Sequence, residues 1–284
     1  MTTRRDFLRT TTIAAGGVAL AGSVTPLFAQ GERKLKVGMC DWNLGATANL
    51  EAVKRAAEIG LDGVEVSLGD PGNFPLRDPK VRAAYLEAGK QRGVVFPSMA
   101  MGCLNGTPLK SEPVTALWVV DCITAAHELG AKVILLAFFG NGALDMQDKE
   151  GIRRVADVLK DLAPRAQDAG VILGLENTLS ADDNLQIIER VNHEAVRVYY
   201  DIKNSANAGR DTAAEIRKLG KLICQVHLKN GNSFLEQVEN VDFAQSAQAL
   251  RDIGYEGWYI LETSSPNGLV PDSRRNMEYV RKTF

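Results

Sequence analysis

Short apolar runs alternate with longer amphipathic stretches along the chain from Leu35 onward. The short runs are five to seven residues long and rich in Val, Ile, Leu or Tyr. This composition is typical of parallel strands that are buried on both faces. The runs predict eight strands, at residues 35–41, 63–67, 94–99, 132–137, 171–176, 196–201, 222–227 and 258–262.

Apolar residues at steps of three and four predict helices between these strands. One such pattern, residues 50–59, stops at Gly60, and another, residues 114–129, stops at Gly130. Glycine is a common stop after a helix because it takes the left-handed conformation without strain. The last helix is predicted at residues 274–282.

Counting these elements gives eight strand–helix units in about 250 residues, which is the size of a closed (β/α)8 TIM barrel. An open, doubly wound α/β sheet is the alternative architecture. It would normally carry a glycine fingerprint after its first strand, and residues 39–45 contain none. The sequence therefore predicts a single-domain TIM barrel over residues 30–284.

The N-terminal residues follow a different pattern. Arg4 and Arg5 precede Phe7-Leu8, and residues 10–31 carry no charge. This arrangement resembles a bacterial twin-arginine export signal, with cleavage after Ala29. A disordered basic tail and a membrane span are the other two interpretations, although Gly, Thr and Pro dilute the apolar stretch of a span. We expect residues 1–29 to be the signal, the twin-arginine export machinery to be a partner, and the protein to be periplasmic.

The composition narrows the class of protein. The 284 residues have a formal net charge of −2, with 45% hydrophobic and 24% charged residues, as in globular proteins. A nucleic-acid-binding protein would show a basic patch or a high pI, so we expect no nucleic-acid partner. The four cysteines are widely spaced without a CxxC motif, so the sequence indicates neither a zinc ribbon nor a disulfide scaffold.

Acidic residues and a histidine recur at the ends of the last four predicted strands: Glu176, Asp201, His227 and Glu262. Active sites of TIM barrels lie at the C-terminal ends of the strands. Side chains alternate between the two faces of a strand, and neighbouring strands lie about 4.8 Å apart, so four inward-pointing tips converge on one point. The structural alternative for any one of these four residues is a helix N-cap or a solvated loop residue.

Three carboxylates crowded at an apolar barrel mouth repel one another and resist ionisation. A divalent cation removes this repulsion, and a neutral imidazole supplies it with a nitrogen ligand. An oxygen-rich ligand set with one histidine suits Mn2+, Mg2+ or Co2+ better than zinc bound by thiolates. We therefore expect Glu176, Asp201, His227 and Glu262 to bind one divalent metal ion.

These strand ends resemble a known family. The motifs are Glu176-Asn177, Asp201-x-x-Asn204, His227-x-Lys229-Asn230 and Glu262-Thr263, together with residues 60–65 before and within the second strand. They are similar to the sugar isomerase/epimerase branch of the xylose-isomerase-like TIM barrels, which includes ketose 3-epimerases, hydroxypyruvate isomerase and inosose dehydratase. The resemblance implies metal ligation by the four residues above and proton exchange by Glu176 and Glu262. Family members commonly have histidines at the positions of Thr178 and Asn204.

The expected chemistry follows from the weak acidity of a carbon next to a sugar carbonyl. A glutamate with an ordinary pKa of about 4.3 cannot remove that proton unless the resulting enediolate is stabilised, as a bound metal would do. Return of the proton to the adjacent carbon isomerises the sugar, and its return from the opposite face by a second glutamate epimerises it. Departure of a β-hydroxyl would instead give a lyase or dehydratase.

Four further residues are candidates for substrate binding, each with a structural alternative. Lys229 lies on the face of His227 and either binds a substrate oxygen or is a solvated lysine. Glu65 either accepts hydrogen bonds from sugar hydroxyls or forms a salt bridge. Trp42 either stacks on the sugar or closes the barrel mouth. Asn204 either orients a ligand or caps the following segment.

The sequence thus predicts a metal-dependent isomerase or epimerase acting on a small sugar without a phosphate group, because no glycine-rich loop with basic residues follows strands seven or eight. The alternative is a lyase or dehydratase acting on a keto-sugar or keto-glycoside, with an upstream sugar oxidoreductase as the source of the ketone. A sugar-binding barrel without catalysis is the third hypothesis. The oligomeric state is left open.

Overall fold

Eight parallel strands form a closed barrel in which each strand pairs with its neighbour in sequence and the last pairs with the first. The computed structural model describes residues 35–284. The strands are β1 Val37–Cys40, β2 Gly63–Ser67, β3 Ser98–Met101, β4 Val133–Ala137, β5 Ile172–Glu176, β6 Val196–Asp201, β7 Ile223–Leu228 and β8 Tyr259–Leu261. The predicted TIM barrel is confirmed.

Helices surround the barrel and connect consecutive strands. Within residues 35–284 they are α1 Glu51–Ile59, α2 Pro79–Arg92, α3 Val114–Leu129, α4 Lys149–Asp168, α5 Ala181–Val191, α6 Ile202–Asn207, α7 Thr212–Leu219, α8 Phe243–Asp252 and α9 Leu269–Thr283. The glycine stops predicted from the sequence are present: Gly60 and Gly130 follow α1 and α3 with φ angles of 91° and 77°.

Two predicted elements differ from the structure because of proline. Strand β3 begins at Ser98 rather than at residue 94, since Pro97 has no N–H to donate to a neighbouring strand. Only Val95 makes an isolated bridge, to Gly63. Helix α9 begins at Leu269, five residues before the predicted start. Pro271 is compatible with this because N–H groups in the first turn of a helix have no partner within the helix.

The apolar core has two parts of unequal size. The larger cluster lies between the barrel and the helices, and it contains strand residues such as Val64, Leu173 and Val226. The smaller cluster is Ala100, Val133, Leu135, Ala137 and Tyr199. Polar side chains on β2, β3 and β7 are also fully or almost fully buried, namely Glu65, Ser98, Gln225 and His227. Polar as well as apolar side chains therefore occupy the buried layer beneath the site.

The predicted export signal at residues 1–29, and the boundary of the barrel at residue 30, lie outside the described residues. Within residues 35–284, no helix combines the length and the apolar character that a membrane crossing requires.

A buried carboxylate ties the loop after β1 to β2. Asp41 is 0% exposed. Its Oδ2 accepts hydrogen bonds from the backbone N–H groups of Ser67 and Ala48 at 2.7 and 2.8 Å, and its Oδ1 accepts one from the Ser67 hydroxyl at 2.6 Å. Burial raises the pKa of Asp41 from 3.8 to about 6, although these hydrogen bonds oppose the shift. The contact positions Trp42, the next residue, at the barrel mouth.

We predict that Asp41→Asn makes the protein more stable than the wild type at alkaline pH. The asparagine oxygen still accepts from both N–H groups, and its amide donates to the Ser67 hydroxyl, so the hydrogen bonds survive while the buried charge is removed. Because the pKa of Asp41 is raised in the folded state, its stabilising effect is present below about pH 4 and is lost as the pH rises through about 6. The advantage of the variant should grow by about 2 kcal/mol between pH 4.5 and pH 8.

Urea unfolding of both proteins at the two pH values measures this difference. A difference in the free energy of unfolding that is the same at both pH values would show that the Asp41 pKa is not raised by folding.

Candidate metal centre and active site

Four side chains from the last four strands meet at the barrel mouth. Glu176 and Asp201 are the final residues of β5 and β6, His227 is the penultimate residue of β7, and Glu262 directly follows β8. Asp201 and His227 are partners in the register between β6 and β7. Each of the four residues offers one ligand atom, and these four atoms all lie within 4.8 Å of one another. The structure thus brings together the four residues that the strand-end pattern selected.

His227 lies at the centre of this cluster and is 0% exposed. Its Nδ1 atom is 2.9 Å from Glu176 Oε1 and 3.1 Å from Glu262 Oε2. Burial disfavours the charged ring, but the acidic groups around it, Tyr199, Cys40, Glu176 and Glu65, together outweigh burial and raise the pKa of His227 well above its ordinary value. Without an ion, the cluster therefore favours a protonated imidazolium.

Lys229 brings a second positive charge into the same cluster. Its Nζ atom lies 2.8 Å from Glu262 Oε2, 2.9 Å from Asp201 Oδ2 and 3.9 Å from Glu176 Oε1. Burial alone would lower the pKa of this ammonium group, but Asp201, Glu262 and Glu176 outweigh burial and raise it. Lys229 is therefore charged, and it compensates carboxylates on three strands.

The two glutamates have different electrostatic environments. Burial raises the pKa of Glu176 above its ordinary value, more than His227 and Lys229 lower it. Burial acts in the same direction on Glu262, but hydrogen bonding and charge from His227 and Lys229 outweigh it and lower the pKa. A pair of carboxyl groups whose pKa values are pushed apart is suited to exchanging one proton between them and a substrate.

The donor set fits a divalent metal ion. Asp201 Oδ2 and Glu262 Oε2 are buried, and their short contacts are the charge pairs with Lys229, and for Glu262 also with His227, rather than well-directed hydrogen bonds from the described residues. Buried carboxylate oxygens without hydrogen-bond donors are costly unless a cation compensates them. Three carboxylates and one imidazole form an oxygen-rich set with one nitrogen, which suits Mn2+, Mg2+ or Co2+.

A second acidic and sulfur-containing group below the site is different in character. Cys40, Glu65 and His227 also offer ligand atoms within 4.8 Å of one another. These atoms are hydrogen-bonded among themselves, with Glu65 Oε1 3.0 Å from His227 Nε2 and 3.6 Å from Cys40 Sγ. Burial also raises the pKa of the Cys40 thiol well above its ordinary value. The contacts among these three side chains make this group a hydrogen-bond cluster.

A cavity of about 440 Å3 opens at the strand-end cluster, where Glu176 and Glu262 line it, whereas Asp201 and His227 are not part of its described wall. This volume is within the range of small-molecule sites. Three of the four predicted substrate-binding residues, Trp42, Asn204 and Lys229, line it beside Glu176 and Glu262. The loops after β2, β3 and β4 contribute a far wall that the sequence pattern did not reveal: Asp70, Cys103, Asn105 and Phe139.

Glu65, the fourth predicted substrate-binding residue, does not line this cavity. Its side chain is 0% exposed and is covered by the ring of His227, whose Nε2 lies 3.0 Å from Glu65 Oε1. The position of Glu65 in the middle of β2, two residues before the strand ends, explains this difference: the carboxylate points inward but lies one layer below the strand ends.

Asn204 retains an unused hydrogen-bond donor. Its backbone N–H donates to Asp201 Oδ1 at 2.8 Å, whereas its side-chain Nδ2 is buried without a partner among the described residues. Because Asn204 also lines the cavity, this amide is free to donate to a substrate oxygen. Thr178 is exposed and absent from the cavity wall.

Comparison with known proteins identifies the family. A family model described as xylose isomerase-like TIM barrel matches residues 53–283, so the chain belongs to this family. The chain is 31% identical over 199 residues to 2-epi-5-epi-valiolone 7-phosphate 2-epimerase of Actinoplanes sp., covering 69% of this chain and 73% of the relative.

More distant relatives point to the same group of enzymes. The ketose 3-epimerase of Arthrobacter globiformis is 23% identical, covering 79% of this chain and 80% of the relative. The inosose dehydratase of Lacticaseibacillus casei is 22% identical, covering 82% and 86%. These relatives are epimerases and a dehydratase, which supports an enzyme of the sugar epimerase and isomerase group.

Solved structures share the fold. The D-allulose 3-epimerase of Methylomonas sp. superimposes with a TM-score of 0.74 at 16% identity, covering 89% of this chain and 98% of that one. The 3-keto-D-glucoside 4-epimerase of E. coli does so with a TM-score of 0.71 at 17% identity, covering 88% and 100%.

We predict that Lys229→Met destabilises the protein in the absence of divalent ions. The substitution leaves Glu176, Asp201 and Glu262 without the ammonium group that compensates them, and loss of one partner from a largely buried charge cluster costs about 2–4 kcal/mol. Lys218→Met is the matched control, because Lys218 pairs with Asp182 at the surface, where both side chains are about half exposed or more. Surface pairs contribute about 1 kcal/mol or less.

Chemical unfolding in the presence of a chelator measures both variants. Equal losses in the free energy of unfolding for the two would mean that Lys229 does not compensate the buried carboxylates.

Proposed function

We propose that this protein is a divalent-metal-dependent sugar epimerase or isomerase that acts on a substrate without a phosphate group. The observation that carries the proposal is the convergence of Glu176, Asp201, His227 and Glu262 within 4.8 Å, with Glu176 and Glu262 lining a substrate-sized cavity. The family and its epimerase relatives support the same class of reaction.

The four strand-end residues would hold the ion, with the three carboxylates balancing its charge and His227 providing Nδ1. When bound, Mn2+, Mg2+ or Co2+ withdraws electron density from substrate oxygens and so acidifies the neighbouring C–H bond. Glu176 and Glu262 reach the cavity from β5 and from the end of β8.

In the proposed mechanism, one of these glutamates removes the proton from the carbon next to the substrate carbonyl. Both glutamates line the cavity, so each is placed to exchange a proton with the substrate. Return of a proton by the second glutamate to the other face of the same carbon gives an epimer. The ammonium group of Lys229 faces the negative charge that develops on the substrate oxygens.

The cavity wall favours a neutral, hydroxylated substrate. Trp42 and Phe139 offer aromatic surfaces for the apolar face of a sugar, and Asn204 and Asn105 offer amide groups to its hydroxyls. Among the described residues that line the cavity, Lys229 is the one cation, and it is already paired with Asp201 and Glu262. A phosphate group would therefore lack a positively charged partner of its own.

One observation favours a second candidate function. The inosose dehydratase of Lacticaseibacillus casei is similar over 82% of this chain. The same proton abstraction, followed by departure of a hydroxyl from the β carbon, would make this protein a dehydratase or lyase acting on a keto-sugar or keto-glycoside. An upstream sugar oxidoreductase is the class of enzyme that would supply such a ketone.

Export to the periplasm through the twin-arginine machinery is a separate part of the proposal. Its support is the pair Arg4-Arg5 followed by the uncharged residues 10–31.

We predict that Asp201→Asn weakens the binding of Mn2+ by more than about tenfold, since even the outer-shell partners of metal ligands contribute 10–100-fold to affinity. The asparagine still accepts the N–H of Asn204 through its oxygen, so the local backbone is preserved while the ligand charge is lost. Titration calorimetry of protein freed of metal by a chelator measures the affinity. Asp182→Asn, at an exposed carboxylate, should bind Mn2+ like the wild type.

Equal Mn2+ affinity of Asp201→Asn and wild type would place the ion elsewhere. A wild type that binds no divalent ion would overturn the proposed metal centre.

The reaction itself is tested by NMR in D2O. The protein is loaded with Mn2+, diluted into Mg2+ buffer, and incubated with a free ketohexose or a 3-keto-glycoside. We predict inversion of a hydroxyl-bearing carbon, incorporation of deuterium at that carbon and retention of the carbon skeleton. Glu176→Gln and Glu262→Gln should each lower the exchange rate by at least about 100-fold, because each removes an acid–base group. Glu150→Gln, at an exposed carboxylate on α4, is the control.

Loss of water or of the aglycone would instead establish the dehydratase or lyase. Metal binding without turnover of either substrate class would favour a binding protein over an enzyme of this group.

A further inference from the structure

The orientation of the His227 ring is fixed by a residue that does not reach the cavity. We propose that Glu65 is a positioning residue, which accepts the Nε2–H bond of His227 from below and thereby presents the Nδ1 lone pair to the ion site at the barrel mouth. This inference rests on the proposed metal centre, and it assigns a role to a carboxylate for which the proposed mechanism has no use.

The geometry at the lower edge of the ring makes Nε2 a hydrogen-bond donor. Glu65 Oε1 lies 3.0 Å from His227 Nε2, and a carboxylate only accepts hydrogen bonds. Nδ1 also faces carboxylates, 2.9 Å from Glu176 and 3.1 Å from Glu262, so both nitrogens donate while no ion is bound. An ion at the strand ends would take the place of the proton on Nδ1, and the Nε2–H group would stay on Glu65.

Glu65 is itself held by residues from three other strands. Its second oxygen, Oε2, accepts hydrogen bonds from the Ser98 hydroxyl at 2.6 Å, the Tyr199 hydroxyl at 2.8 Å and the Gln225 amide at 3.4 Å. These donors occupy Oε2 and leave Oε1 for the ring and for the Cys40 thiol, which donates to it at 3.6 Å. The Gln225 amide also donates to the Ser98 and Tyr199 hydroxyls at 2.6 and 3.0 Å, which closes the network.

Space for this network is created by a missing side chain. Gly174 on β5 faces the interior, and a Cβ atom there would lie 3.1 Å from the Cβ of Tyr199 and 3.0 Å from Cys224 Sγ. The glycine lets Tyr199 pack with its ring centroid 4.5 Å from that of His227, while Trp42 approaches the same imidazole edge-on at 6.2 Å. Two aromatic rings and one carboxylate therefore restrict rotation of His227.

Burial excludes the simpler roles for Glu65. Its side chain is 0% exposed, and the cavity wall does not include it. A sugar hydroxyl would have to displace His227 to reach it. Glu65 therefore has no access to a substrate, and it contacts Nε2, the ring nitrogen of His227 that faces away from the ion site. Carboxylates in such contacts commonly orient metal-binding histidines.

The first measurement is the affinity for Mn2+ alone, by titration calorimetry after treatment with a chelator. Glu65→Gln keeps the shape of the side chain and loses its charge, and we expect it to bind Mn2+ 10–100-fold more weakly than the wild type. Ser98→Ala is the matched control, since it removes one donor to Oε2 and leaves the contact between Oε1 and His227 intact. It should bind Mn2+ with near wild-type affinity.

The second measurement observes the hydrogen bond directly. The chain has three histidines, of which His127 is exposed and His193 half-buried. In a protein labelled with 15N-histidine, the exchange-protected imidazole N–H signals should therefore belong to His227, and the Nε2–H proton on Glu65 is the one that persists when Mg2+ is bound. We expect that signal in the ion-free and in the Mg2+-loaded wild type, and in Ser98→Ala. It should shift or exchange rapidly in Glu65→Gln.

The outcomes separate this inference from the proposed function. A wild type with the protected proton but without Mn2+ affinity would overturn the metal centre, and with it the claim that the ring is positioned for an ion. Absence of the protected proton in the wild type, or equal Mn2+ affinity of Glu65→Gln and wild type, would overturn the role of Glu65. A purely structural role would lower the melting temperature of Glu65→Gln and leave both readouts unchanged. If Glu65→Gln does not fold, Glu65→Asp, which keeps the charge and shortens the reach, should weaken Mn2+ binding in the same way.

Discussion

The need to compensate buried negative charge governs the architecture of this barrel mouth. Glu176, Asp201 and Glu262 bring three carboxylates to within a few ångströms of one another, and Glu176 and Asp201 are buried while Glu262 is partly exposed. Such a cluster is strongly unfavourable unless protons or cations neutralise it. The protein supplies an imidazole and an ammonium group, His227 and Lys229, both in contact with the acidic oxygens. A divalent ion would perform the same task with more charge, which is why the arrangement fits a metal centre.

That requirement extends one layer down into the barrel. A histidine that must offer one nitrogen upward has its other nitrogen buried, and a buried N–H needs an acceptor. Glu65 supplies that acceptor, and Ser98, Tyr199 and Gln225 then satisfy the carboxylate. The interior of the barrel is therefore polar where it supports the site. The residues that support the strand-end cluster lie on strands, whereas much of the cavity wall lies on loops. Strands hold the reacting groups rigidly, and loops can vary to recognise different substrates.

The sequence was sufficient for the fold and for the convergence of the four strand-end residues, because both depend on periodicity. Because side chains alternate along each strand, Glu176 on β5 and Asp201 on β6 can both point into the barrel. Because the strands are parallel, both residues lie at the same end of the barrel. Periodicity does not give the height of a side chain within the barrel, so it did not reveal that Glu65 lies beneath His227. A signal was nevertheless present: Tyr199 and Gln225 stand two residues before Asp201 and His227, and a polar residue at that spacing in a buried strand marks a second inward-facing layer.

The same reasoning locates the determinants of specificity. The four strand-end residues are common to reactions that differ in outcome, since epimerisation, isomerisation and dehydration all begin by removing a proton next to a carbonyl. What distinguishes these outcomes is how the rest of the substrate is held, and that depends on the far wall formed by Asp70, Asn105 and Phe139 together with Asn204. Asn204 offers an uncharged amide whose donor is unpaired within the described protein. Under the proposed function, a neutral donor beside the strand-end cluster would select for the position of a substrate oxygen without adding a titrating group.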